Sequence, residues 1–147
     1  MVLPNVRFRT ARKWSSFSRQ RVNKVGNWAT TNGDTPATGW ASDGTYPATA
    51  ASNALEASGG GTATVRAVIV MSSGFYNTDL KLWRWRGGVT TQLAGSGAGG
   101  STTTTLTAAA QTVQAGDLYF ITANGGFTAG SMSVQAAGTY IEIEPAA

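Results

Sequence analysis

The chain has 147 residues, 41% of them apolar and 12% charged, with no cysteine and no histidine. The length fits one domain with a real core, and the apolar share speaks against charge-driven disorder. Lacking Cys and His, the sequence excludes disulfides, imidazole or thiolate metal sites, and every Ser–His or Cys–His catalytic pair.

Residues 1–24 hold Arg7, Arg9, Arg12, Lys13, Arg19, Arg21 and Lys24 with no acid, whereas residues 25–147 hold four bases against seven acids. Like charges without a counter-charge repel, so residues 1–25 are expected to form an extended arm that orders only on an acidic neighbour. The arm's candidate partner-binding residues are Arg7, Phe8, Arg9, Arg12, Lys13, Trp14, Phe17, Arg19, Arg21 and Lys24. Arginine-rich arms can neutralise phosphates. Here Val6, Val22, Val25 and the aromatics point instead to a protein groove with an acidic rim, since Trp, Phe and Arg are interface anchors. A solvated tail with no specific partner is the second reading, and nucleic acid the third. The positive N-terminus has no apolar run behind it, so it does not read as a secretory signal.

The body is expected over residues 26–147. Residues 26–53 are rich in turn formers, including Asn32-Gly33-Asp34 and Asp43-Gly44, and are punctuated by Trp28, Trp40 and Tyr46. Thr62 to Ser72 is β-branched and follows Gly59-Gly60-Gly61, which predicts a central strand with Val65, Ala67, Ile69 and Met71 on one face. Asp79–Arg86, Gly87-Gly88 and Val89–Leu93 read as a β-hairpin, because a Gly-Gly pair tolerates the positive φ of tight turns. Gly95 to Gly100 reads as a flexible loop, and Thr102–Thr107 as a strand. Leu118–Thr122, Ser131–Gln135 and Thr139–Glu144 complete seven or eight strands, with Pro145 marking the end of pairing. No stretch predicts a helix, and none approaches the roughly 20 apolar residues of a membrane span. The fold class is all-β, an antiparallel β-sandwich of the jelly-roll type behind the basic arm.

Candidate chemistry is sparse. Glu142 and Glu144 alternate on one strand face, about 6–7 Å apart, a separation seen in glycoside hydrolysis, but a solvated outer face is the stronger reading. Asp117, after Ala115-Gly116, is expected in a turn, accepting local backbone N–H bonds. No Asp-x-Asp-x-Asp run suggests calcium, and the glycine runs lack the Lys-Ser/Thr and helix of a phosphate loop. Trp83 and Trp85 share a face with Lys81, while Arg84 and Arg86 point the other way. Aromatic platforms beside polar groups can bind sugars or bases. The plainer account puts both indoles in the core or a subunit contact, with Arg84 and Arg86 exposed to acids of an adjoining chain. The sequence thus predicts no enzyme, no metal and no cofactor.

Val6-Arg7-Phe8-Arg9-Thr10-Ala11-Arg12-Lys13 with Ser15-Ser16-Phe17-Ser18 resembles the start of small virion proteins, usually minor tail proteins, of tailed phages of actinobacteria. Thr112 to Phe120, a strand, Ala-Gly-Asp and a strand, is similar to their C-terminal domain, and Gly138 to Ile143 to its closing strand. That domain is in turn similar to the jelly roll of complement and tumour-necrosis-factor-like proteins, which usually trimerise. The resemblance implies a virion location, other virion proteins as partners, and homo-oligomers such as trimers. Its first functional reading is a minor tail or tail-tip component. A capsid decoration (cement) protein is the second, and a receptor- or glycan-binding module using Trp83 or Trp85 the third. A coat protein whose basic arm packages nucleic acid is the fourth. The abundance of Ala, Gly, Ser and Thr suits an extracellular particle.

Overall fold

The computed structural model describes residues 17–72, 75–100 and 102–147. Two five-stranded sheets face each other. The first runs in the order β3 (Trp40–Ser42), β1 (Gln20–Lys24), β12 (Tyr140–Pro145), β6 (Gly61–Val70), β9 (Thr103–Val113). The second runs β4 (Thr49–Ala51), β5 (Ala54–Glu56), β10 (Leu118–Asn124), β7 (Phe75–Arg86), β8 (Val89–Gly100). A small two-stranded ribbon pairs β2 (Trp28–Ala29) with β11 (Ser133–Val134), and a short 3-10 turn at Gly126–Thr128 precedes β11 in the chain. Neighbouring strands pair antiparallel throughout, the arrangement of a jelly-roll sandwich.

Period-two alternation builds the core. Ala63, Val65, Ala67 and Ile69 of β6 point inward beside Ile141 and Ile143 of β12 and Val22 of β1. Leu80 and Leu82 of β7 meet Tyr119, Ile121 and Ala123 of β10 and Leu55 of β5 from the other side. Each buried Leu, Ile or Val contributes about 1.5–3 kcal/mol, which makes this face the main source of stability. The predicted hairpin is present, with Gly87 and Gly88 at φ 55° and 85°, the left-handed pair of a type I′ turn.

Two expectations fail. Gly95 to Gly100 is not a free loop but the second half of β8, paired with β7 through a register that slips three times. Gly97, at φ 69°, sits in one of those bulges and Leu93 in another, and a bulged edge strand resists pairing with other chains. The arm boundary at residue 25 also fails, because Gln20–Lys24 is β1, an interior strand between β12 and β3. Phe17 packs against the core beside Gly61, where an added Cβ would stand 2.9 Å from the Phe17 ring. The body therefore begins no later than Phe17. Arg7, Phe8, Arg9, Arg12, Lys13 and Trp14 lie outside the described residues.

Candidate functional site

The outer face of the first sheet carries a charge cluster built by strand register. Arg21 of β1 and Arg66 of β6 lie directly across from Glu142 of β12, one on each side. Glu142 is fully buried and accepts two bonds from Arg19 (3.2 and 3.0 Å), two from Arg21 (3.0 and 2.7 Å) and one from Arg66 (2.7 Å). Glu144 joins through Arg66 at 3.2 Å and Arg19 at 3.6 Å. The Arg21 guanidinium lies between two rings, 4.0 Å from the centroid of Tyr140 and 5.2 Å from that of Tyr46, while Arg19 covers Tyr46 at 4.7 Å. Tyr46 is set by the Asp43-Gly44 turn, where Asp43 accepts the backbone N–H groups of Thr45 and Tyr46 at 2.8 and 2.9 Å. Burial alone would raise the Glu142 carboxyl. The hydrogen bonds and charges of Arg19 and Arg21 overcome it and hold the group below the usual carboxylate range.

This cluster corrects three expectations. Glu142 is not on a solvated face; both its oxygens are consumed by arginines. Arg19 and Arg21 are not unpaired cations that need an acidic neighbour to order them, since Glu142 pairs with both within the chain. Lys24 is likewise taken: it is buried, and its ammonium donates to the carbonyls of Val25 (3.0 Å) and Gly26 (2.8 Å), 5.7 Å from the Trp40 ring. Burial pulls its pKa down.

A second ion pair closes one end of the sandwich. Leu80, Leu82, Arg84 and Arg86 share the inward face of β7, and where the apolar core ends Arg86 grips Asp117 through Nε (2.7 Å) and Nη2 (2.6 Å). Asp117 also accepts the Gln114 N–H at 2.8 Å and the Tyr119 hydroxyl at 3.1 Å, the turn role expected of it. Its burial pushes the carboxyl up, but Arg86, Gln114 and Tyr119 together bring it below the usual range. Arg86 thus meets its acid within the chain. Arg84, directly across from Tyr119, has a buried Nε with no hydrogen-bond partner.

With Arg84 and Arg86 inward, Trp83 and Trp85 face outward, which overturns the core half of the expectation for the two indoles and leaves a subunit contact open to them. Trp83 is half-buried and donates its N–H to Thr122 Oγ1 at 2.9 Å; Trp85 is 39% exposed. The Trp83 and Phe120 rings lie 6.2 Å apart and within 8° of parallel. The 31–37 loop continues the edge of β5, with the Ala37 N–H bonded to Ile121 O at 2.9 Å and Pro36 bridged to Thr122. A groove of about 450 Å³ opens here, lined by Pro36, Ser52, Ala54, Trp85, Thr90, Leu118 and Phe120. Phe120, Pro36, Asp34, Tyr46 and Tyr140 were not among the candidate site residues read from the sequence, although Asp34 and Tyr46 were placed in its turn-rich segment. For Phe120 and Tyr140 the signal was present, as the outward positions of two correctly placed strands; for the others only the loop path reveals it.

No family model matches this chain, and no curated protein sequence does. Among solved structures, that of Eiger TNF from S. frugiperda superposes with a TM-score of 0.65 at 16% identity, over 89% of this chain and 93% of that one. Murine APRIL superposes with a TM-score of 0.59 at 15% identity, over 86% and 96%. At such identity the likeness concerns architecture. The chain has the β-sandwich fold of a TNF-like jelly roll.

Proposed function

We propose that this protein is a non-catalytic structural component of a phage virion, a minor tail or tail-tip protein that assembles with copies of itself, as a trimer. In this reading residues 1–16, with Arg7, Arg9, Arg12 and Lys13 and no acid, dock onto other virion proteins. The observation that supports it most is the outer face of the first sheet. Its buried carboxylate is saturated by arginines and therefore unable to act as an acid or base. Around it the sheet presents half-buried Arg, Tyr, Val and Thr side chains, a composition suited to subunit packing. The virion assignment draws on the resemblance of residues 6–18 to actinobacterial phage proteins.

The test is removal of residues 1–16 from a chain supplied to assembling particles. The shortened chain is expected to fold and self-associate but to be absent from purified particles, whereas imaging of the tagged full chain shows it on the tail. Incorporation of the shortened chain at full level refutes the docking role. Label on the capsid shell selects a decoration protein instead.

A further inference from the structure

We propose that the outer face of the second sheet binds uncharged pyranose units of a polysaccharide, with Trp85, Trp83 and Phe120 as the platform. This face is distinct from the charged face of the first sheet, and the inference does not depend on a virion role. The main groove continues into a recess of about 200 Å³ that shares Pro36, Thr90 and Phe120 with it and ends at Trp83 and Asp34. A sugar ring has apolar C–H faces and a rim of hydroxyls. The near-parallel Trp83 and Phe120 rings offer an apolar surface for the faces, and Asp34, Ser52 and Thr90 offer polar groups for the rim. Trp83 is held in place before any ligand arrives, because its N–H is already bonded to Thr122.

Charge complementarity selects the ligand class. Among the described residues the cation on this face is Lys81, which sits 2.9 Å from Asp34 and 3.6 Å from Asp79, and lies 5.6 Å from the Trp83 ring. Arg84 and Arg86 are turned inward. A polyphosphate or sulfated chain would find no surplus positive charge to neutralise here and two carboxylates to repel it. An uncharged polyol meets no such penalty. At the far end of the groove, Ser52 and Asn53 hold φ of 50° and 60°, a left-handed pair that non-glycine residues adopt at a cost and that fixes Ser52 at the groove edge.

The experiment is a glycan array on the purified full chain, with neutral hexose and N-acetylhexosamine oligosaccharides beside their sulfated and phosphorylated counterparts. Hits are followed by tryptophan-fluorescence titration. Binding of neutral glycans, weakened about tenfold by Trp85→Ala at unchanged melting temperature, is the expected result. Should Trp85→Ala perturb folding, Thr90→Arg places bulk and charge at the same edge without opening the core and is expected to weaken binding equally. The inference is overturned by no neutral glycan bound at millimolar concentration, by undiminished affinity in both variants, or by preference for charged glycans. Because the assay needs no particle, its failure leaves the virion reading intact, and failure to enter particles leaves the groove intact.

Discussion

Replacing Glu142 by Ala removes the one buried carboxylate that three arginines share. Removing one partner of a buried pair usually costs about 3–5 kcal/mol, because the other charge stays desolvated. Here Arg19, Arg21 and Arg66 keep 32%, 22% and 26% of their side chains in water, and Glu144 remains 3.2 Å from Arg66. Both facts soften the loss, so about 3 kcal/mol is expected. For a domain of this size each kcal/mol moves Tm by about 2–4 °C, giving a fall of about 6–12 °C in a thermal melt followed by circular dichroism. Glu142→Gln separates charge from shape: it keeps the volume but sets an amide N–H against a guanidinium, and most of the loss is expected to persist. An Arg21→Ala, Glu142→Ala double-mutant cycle is expected to show strong coupling. A fall below 2 °C for Glu142→Ala would place the cluster among ordinary surface ion pairs and refute this reasoning.

Further outcomes follow from the same geometry. The Glu142 and Asp117 carboxyls are held below their ordinary values, so their contribution is present above the unfolded pKa of about 4 and is lost as pH falls through the folded values. Urea midpoints between pH 6 and pH 2 should therefore drop steeply. The Glu142→Gln, Asp117→Asn variant should show a flatter acid limb; an unchanged slope contradicts the assignment. Removal of residues 1–16 should leave the melting temperature within a few degrees of the full chain. Removal of residues 1–24 deletes β1 and should leave no cooperative melt. If the proposed self-association uses the outer face of the first sheet, Val68→Glu, beside Tyr140 on that face, is expected to yield monomer in light-scattering chromatography while leaving the fold intact. Persistence of the oligomer would mean that another surface mediates assembly.

Much of the fold was legible in the sequence. Strict alternation through Val65, Ala67 and Ile69, the Gly87-Gly88 turn, and the closing strand expected at Thr139–Glu144, found at Tyr140–Pro145 with Ile141 and Ile143 inward, all survive in the structure. What failed were inferences from composition by segment. A tally of residues 1–24 sees only repelling cations, whereas Arg19 and Arg21 find Glu142 more than 120 positions away. Their spacing of two, matching that of Glu142 and Glu144, was the available clue to a strand. The orientation of Trp83 and Trp85 was undecided because aromatic residues suit both faces of a sheet. The burial of Leu80 and Leu82 on the same face as Arg86, which reaches the buried Asp117, fixes which face is inner. Gly95 to Gly100 misled because bulged edge strands and loops share the same glycine-rich composition.

The central claim is that Gln20–Lys24 is an integral strand of the isolated chain, which leaves the proposed docking role to the residues before it. Hydrogen exchange of the purified protein tests this most directly. The Arg21 and Lys24 amides, bonded to Tyr46 O and Thr139 O at 2.9 Å, should exchange as slowly as those of Ile141 and Ile143, at any protein concentration and without a partner. Exchange of those two amides within seconds in the isolated chain, with protection appearing only on a partner, would contradict it.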